Sequence, residues 1–329
     1  MYALLAGPSY AGLEHIGSRL ICSDCHTMHY SMKHNYRGGP TDLVTDATGP
    51  FKGLLKASPN DLCLSCHDST GFAPDVLTDP TDDYPRQAGG LNRVGVAGSY
   101  KNWMGHTMDS KDTAPGGTWS NAQRGLLCID CHDKHGNVSQ FRNLLTSNTP
   151  GDKFEGKTVT FTYSQSNDLT KDVWLHDGFV NSNKYGVAGT EFNEPDPTRS
   201  RYGEWCGSCH GNFHGSGGSA NMGGASGGDN GSSPWKRHPT ADVNIGAHSD
   251  DMSSLTTFQS HTNRVKVMSA SGNWSTGSDI TPSCFSCHKA HGNKNAFGLI
   301  YMSGTGTVTE EGDTGGQKME DLCRQCHTQ

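Results

Sequence analysis

All twelve cysteines of this chain fall into C-x-x-C pairs, and a histidine directly follows each pair. The six sites are Cys22-Cys25-His26, Cys63-Cys66-His67, Cys128-Cys131-His132, Cys206-Cys209-His210, Cys284-Cys287-His288 and Cys323-Cys326-His327. This spacing is the attachment signature of haem c: two thiols join the porphyrin edge, and the adjoining imidazole becomes the proximal iron ligand. No cysteine remains for a disulfide or a thiolate zinc site. Zinc knuckles and disulfide pairs are the competing readings. Zinc does not require a histidine after every second cysteine, and disulfides do not require the two-residue gap. Six covalently held haems c are therefore the predicted cofactor, numbered 1 to 6 in chain order below.

The haems also resolve a difficulty in the composition. Leu, Ile, Val and Phe make up only 50 of 329 residues, a range in which chains without cofactors tend not to build a core. Six large, flat, apolar groups change that balance, with about 55 residues serving each. The predicted fold class is a multihaem cytochrome c. Mostly coil and loops, with short helical turns at the attachment sites and a few short strands, wrap around a linear stack of six haems. The 43 glycines and 14 prolines suit such a wrapping.

The formal charge is -7, and haem propionates add about two negative charges per haem. No basic run offers itself to nucleic acid or to an anionic membrane, and no stretch approaches the ~20 apolar residues of a transmembrane helix. Thioether attachment takes place outside the cytoplasm, so an export signal is expected. Residues 1–11 have neither a basic lead nor a long enough apolar run, and the numbering is read as that of a mature chain, secreted after maturation in the periplasm.

The whole chain, 1–329, reads as one hexahaem unit of three modules. Each has a lead histidine, then C-x-x-C-H-x-x-H, then a plain C-x-x-C-H. Residues 1–70 hold haems 1 and 2, 106–215 hold haems 3 and 4, and 238–329 hold haems 5 and 6. The lead histidine precedes the first cysteine by 7, 22 and 23 residues, too irregular for a solenoid. Residues 71–105 read as a Pro/Asp/Gly-rich connecting loop, and 216–235 as a Gly/Ser-rich surface loop. Alternation at 157–163 predicts a strand, and 264–268 and 305–309 are candidates for shorter ones. Sequons at Asn137, Asn230 and Asn273 occur at about chance frequency.

Seventeen histidines are present and six are proximal. Residues three apart on a turn lie side by side, so the second histidine of C-x-x-C-H-x-x-H cannot reach the open face of its own haem. His29, His135 and His291 must serve other haems. The lead histidines, His15, His106 and His261, should do one equivalent task per module. The working assignment puts His15 on haem 2, His106 on haem 4 and His261 on haem 6, with His135 reaching back to haem 1 and His291 to haem 3. Haem 5 and His29 are then left over, and they match if His29 of one copy closes haem 5 of the next. Such a head-to-tail contact generates a filament when it does not close. His214 and His238 compete for haem 4 or haem 6. His34, His176 and His248 read as surface histidines. Ten methionines are available as alternative ligands, but none recurs in step with the sites.

The details of these motifs resemble a known family. They include C-H-T-M-H at the first site, A-P-G-G-T at 114–118, C-H-D-x-H-G at the third and E-W-C-x-x-C-H at the fourth. R-H-P follows, then C-x-S-C-H-x-A-H at the fifth site and a sixth close to the C-terminus. The family is that of the filament-forming hexahaem extracellular cytochromes, and the likeness runs from about His15 to the end. It implies an electron conduit rather than an enzyme, located at the cell surface. Its partners would be further copies of itself, a redox donor and extracellular acceptors, and its subunit interface would be stapled by His29 on the haem of His288. Two other readings use the same haems. One is a soluble periplasmic shuttle with haem 5 closed by His238 or His214; the other is a multihaem reductase with one open iron.

Overall fold

The third residue of the first and third signatures is aspartate, and it closes the turn that carries the cysteines. Asp24 Oδ2 accepts from the Ile21 N–H at 2.8 Å, and the Asp24 N–H bonds back to the Ile21 carbonyl. Asp130 repeats this arrangement on Leu127. A carboxylate also suits the positive end of a helical turn. In this computed structural model the products are α1 (Cys22–Cys25) and a 3-10 turn at Cys128–Asp130. The second signature lies in a longer helix, α2 (Pro59–His67). Ser58 caps α2 by accepting from the Asp61 N–H, and Pro59 opens it where no N–H is needed. α3 (Leu255–His261), α4 (Cys284–Cys287) and α5 (Met319–Cys323) follow.

The structure describes residues 15, 20–26, 52–68, 70, 73, 75–77, 88–96, 104–117, 119–135, 143–145, 205–210, 255–261, 268–269, 280–281, 284–299, 302, 308–309, 312–313 and 319–327. Most of this backbone is coil and turn, as the composition predicts. Its strands form three two-residue ribbons. β1 (Asn92–Arg93) runs parallel to β2 (Thr107–Met108), with Asn92 opposite Thr107. β3 (Met268–Ser269) is antiparallel to β4 (Ile280–Thr281), and β5 (Val308–Thr309) to β6 (Gly312–Asp313). β3 and β5 begin at or within the candidate stretches 264–268 and 305–309. The expected strand at 157–163 and the Gly/Ser-rich 216–235 lie outside the described residues.

Residues 88–96, inside the expected connecting loop, carry β1 and tie the first two modules together. Leu64 of α2, Leu77, Leu91 and Met108 form a small buried cluster, with Val76 and Cys128 packed against it. A polar clamp runs beside this cluster. Asn60 is fully buried; its Nδ2 donates to Asp109 Oδ1 at 2.8 Å and to the Leu126 carbonyl at 3.0 Å, and its Oδ1 accepts from Cys128 N–H at 2.9 Å. Arg93 pairs with Asp61 at 2.5 Å and with Asp109 at 2.9 Å. The second and third attachment sites are thus bolted to each other through side chains rather than through a sheet. Among the described residues no helix is long and apolar enough to cross a membrane.

Candidate haem sites

At five of the six signatures the histidine N–H bonds back to the carbonyl of the first cysteine, at 2.9 to 3.0 Å for His26, His132, His210, His288 and His327. One tight turn therefore presents two sulfurs and one imidazole together, which is what attachment and proximal ligation require. His67 lies at the end of α2.

A second element, not contained in the attachment motifs, recurs in each module. After the first signature the chain returns to the proximal histidine and bridges it with a leucine: His26 with Leu55, His132 with Leu144, and His288 with Leu299. The residue before each leucine has a left-handed backbone: Leu54 (φ 58), Asn143 (φ 53) and Gly298 (φ 63). That conformation costs an ordinary side chain about 1–2 kcal/mol, yet it is kept in all three modules. It turns a carbonyl behind the imidazole. His26 Nδ1 donates to the Gly53 carbonyl at 2.8 Å, and His288 Nδ1 to the Phe297 carbonyl at 2.8 Å. An Nδ1–H engaged in this way leaves Nε2 free to bind metal. The sequence signal was a Leu-Leu or Leu-Ile pair after each first site, at 54–55, 144–145 and 299–300.

The A-P-G-G-T stretch plays the same part at the fourth site. His210 Nδ1 donates to the Pro115 carbonyl at 2.8 Å. Gly117 lies so close to the attachment turn that a Cβ there would sit 1.7 Å from the Cys209 carbonyl oxygen.

Four pairs of histidine rings meet, two within a module and two between modules. Ring centres are 5.9 Å apart for His15 and His67, 6.5 Å for His26 and His135, 5.9 Å for His106 and His210, and 6.3 Å for His132 and His291. Two imidazoles bound through Nε2 on opposite sides of one metal ion, with bonds of about 2.0–2.1 Å, have ring centres roughly 6.3 Å apart. The spacing therefore fits a metal held between each pair, and every pair includes a proximal histidine beside its two cysteines. Among the partners of these proximal histidines, His106 Nδ1 donates to the Ala290 carbonyl at 2.6 Å, His291 Nδ1 to the Gly89 carbonyl at 3.3 Å and His15 Nδ1 to the Lys134 carbonyl at 3.4 Å. His261 differs, because its Nε2 faces the Arg324 carbonyl at 2.8 Å. That carbonyl belongs to the sixth attachment turn. His288 takes part in none of the four pairs. His29, His214 and His238 lie outside the described residues, as do His34, His176 and His248.

The thiols show how the sites follow one another. Cys63 donates to the Cys128 sulfur, which raises the Cys63 pKa and lowers that of Cys128. The Met108 sulfur lies 3.7 Å from Cys128 Sγ. Burial, with Cys66 nearby, raises the Cys25 thiol. Desolvation, with Cys326 next to it, pushes Cys287 up to about 12, and Cys326 itself rises to about 11. Sites 1 and 2, 2 and 3, and 5 and 6 are therefore neighbours in space as in sequence.

These features define the class: a c-type cytochrome with several haem attachment sites. A family model described as a doubled CXXCH motif matches residues 46–72 and 280–329. The chain is homologous to the C-type cytochrome OmcS of Geobacter sulfurreducens, with 28% identity over 360 aligned residues that cover 88% of this chain and 80% of OmcS. Two solved structures are also similar. One is a cryo-EM structure of OmcS nanowires from Geobacter sulfurreducens, 20% identical, covering 93% of this chain and 97% of that one, with a TM-score of 0.42. The other is an Outer Membrane Cytochrome S filament from the same organism, 18% identical with the same coverages and a TM-score of 0.45.

Proposed function

We propose that this protein carries electrons outside the cell along six haems c, each closed by two histidines, and that it performs no bond-making chemistry of its own. The observation that carries the reading is the four ring pairs at 5.9 to 6.5 Å, each joining a proximal histidine to one far away in sequence. When bound, haem c supplies a one-electron couple whose potential the axial ligands and their hydrogen bonds set. The chain's histidines hold both axial positions, and backbone carbonyls behind Nδ1 fix the rings and raise their basicity. An iron closed on both sides has no position for substrate.

The proposed ligand pairs are His26 with His135, His67 with His15, His132 with His291, His210 with His106, and His327 with His261. His29 of a neighbouring copy completes His288, so that copies join head to tail into a filament. The three-module division follows from these pairs, since each junction exchanges ligands between modules. The homologous cytochrome supports the electron-transfer reading. The test is electron microscopy of holo-protein sheared from cells, beside a carbon monoxide difference spectrum of the reduced sample. Uniform filaments that bind no carbon monoxide are expected. Discrete monomers with haem 5 closed by a histidine of the same chain would refute the filament and leave a soluble shuttle.

A further inference from the structure

The second ligands of haems 3 and 4 come from opposite ends of the molecule, and the structure brings them to one place. His106 N–H donates to the His291 carbonyl at 2.9 Å, and His291 N–H donates to the Ala88 carbonyl at 2.8 Å. The side chains add the reciprocal bonds already described, His106 Nδ1 to Ala290 and His291 Nδ1 to Gly89. Three backbone segments thus share four hydrogen bonds, and both histidines depend on the same set.

Three glycines allow that approach. Gly89 and Gly105 each bridge Gly292. A Cβ on Gly89 would lie 1.8 Å from the Gly292 carbonyl oxygen; one on Gly105 would lie 2.5 Å from Gly292 Cα and 2.6 Å from the His291 carbonyl oxygen. One on Gly292, whose φ is +122, would lie 2.6 Å from Gly105 Cα. Every one of these obstacles is backbone, so no side chain can swing aside to relieve it. An added methyl group at any of the three positions must separate the segments.

We infer that Gly89, Gly105 and Gly292 are positioning residues that form one backbone node for two haem ligands, so that His106 and His291 are kept or lost together. The inference rests on the ligand pairs proposed above and adds a coupling between them. Closure of haem 4 within the second module depends on the third module being seated, because the Ala290 and His291 carbonyls that hold His106 come from it.

The test counts carbon monoxide bound per chain in the reduced holo-protein, together with the ferric high-spin signal. His106→Ala and His291→Ala are expected to open one iron each relative to the unsubstituted protein. Gly105→Ala is expected to open two, although it touches neither imidazole ring. Gly95→Ala is the control for backbone strain, since Gly95 has φ +79 and nothing within 4 Å of its would-be Cβ; it is expected to open none. If the histidine variants open one iron each and a folded Gly105→Ala opens none or one, the node is refuted and the ligand pairs stand. If the histidine variants open none, the ligand pairs themselves fail. Should Gly105→Ala not fold, amide exchange in the unsubstituted protein decides. His106 and His291 amides are expected to exchange at a common rate, and rates differing by more than about tenfold would overturn the node.

Discussion

Replacing Asn60 by alanine tests whether the clamp between the second and third attachment sites is a structural joint. Asn60 is 0% exposed and makes three hydrogen bonds. Their losses are unequal. The Leu126 carbonyl still receives the Asp109 N–H at 2.9 Å, and Asp109 still holds Arg93 at 2.9 Å. Each of those two bonds is worth about 0.5–1.5 kcal/mol. The Cys128 N–H loses its acceptor, and an orphaned buried donor costs about 1–3 kcal/mol. The two acceptors that keep another donor lose toward the low end of their range, so the total is roughly 3 kcal/mol. At about 1.4 kcal/mol per tenfold, exchange of the Cys128 amide through local opening should accelerate by roughly a hundredfold. Hydrogen exchange with mass-spectrometric or NMR readout on the holo-protein measures this directly. Asn60→Asp retains the acceptor but sets a second carboxylate against Asp109. It should open more at neutral pH and recover as acid neutralises one of the two. An acceleration below about threefold in Asn60→Ala would show that the joint is carried elsewhere and refute this reasoning.

Three further outcomes follow. Leu54→Gly relieves a left-handed residue that is half exposed and should stabilise the protein by about 0.5–1 kcal/mol in thermal unfolding. Gly117→Ala should break the Pro115–His210 bond, because its Cβ meets the Cys209 carbonyl; without that acceptor behind Nδ1, His210 becomes a weaker donor to iron, which should move one haem midpoint upward in spectroelectrochemistry and leave the others in place. Lys56 is buried, and among the described residues its Nζ has no hydrogen-bond partner. Burial holds its pKa below the ordinary 10.5, and Asp24 offsets this only in part. The unfolded chain then binds that proton more tightly, so stability should rise with pH between the lowered folded value and 10.5. Lys56→Met should flatten that rise in thermal unfolding measured across the range.

The attachment sites were legible because covalent chemistry demands a local spacing, and no tertiary context can disguise C-x-x-C-H. The expectation that the second histidine of C-x-x-C-H-x-x-H leaves its own site has the same local basis, and the rings of His135 and His291 lie beside His26 and His132. What stayed hidden was long-range and carried by backbone. Leu55, Leu144 and Leu299 return to their histidines over 29, 12 and 11 residues, spacings too variable to read as a motif. The 88–93 segment resembled a plain loop because its role depends on glycines meeting Gly292 some two hundred positions later. Asn60 looked like any helix-start asparagine, since nothing local marks its three distant partners. His261 held the lead position of its module, but its Nε2 contact with Arg324 could not be read from sequence.

The carbonyls that hold the first two lead histidines also set the grammar of the chain. His15 leans on Lys134, which stands just before His135, and His106 leans on Ala290, just before His291. The first two modules therefore each borrow a footing for their lead histidine from the module that follows, and the rings of His135 and His291 reach back to the module before. Neither of the first two modules closes all of its ring pairs alone: His26 waits for His135 and His132 for His291. A module cut out at its own boundaries would keep its attachment turns and lose the imidazole that faces the first of them.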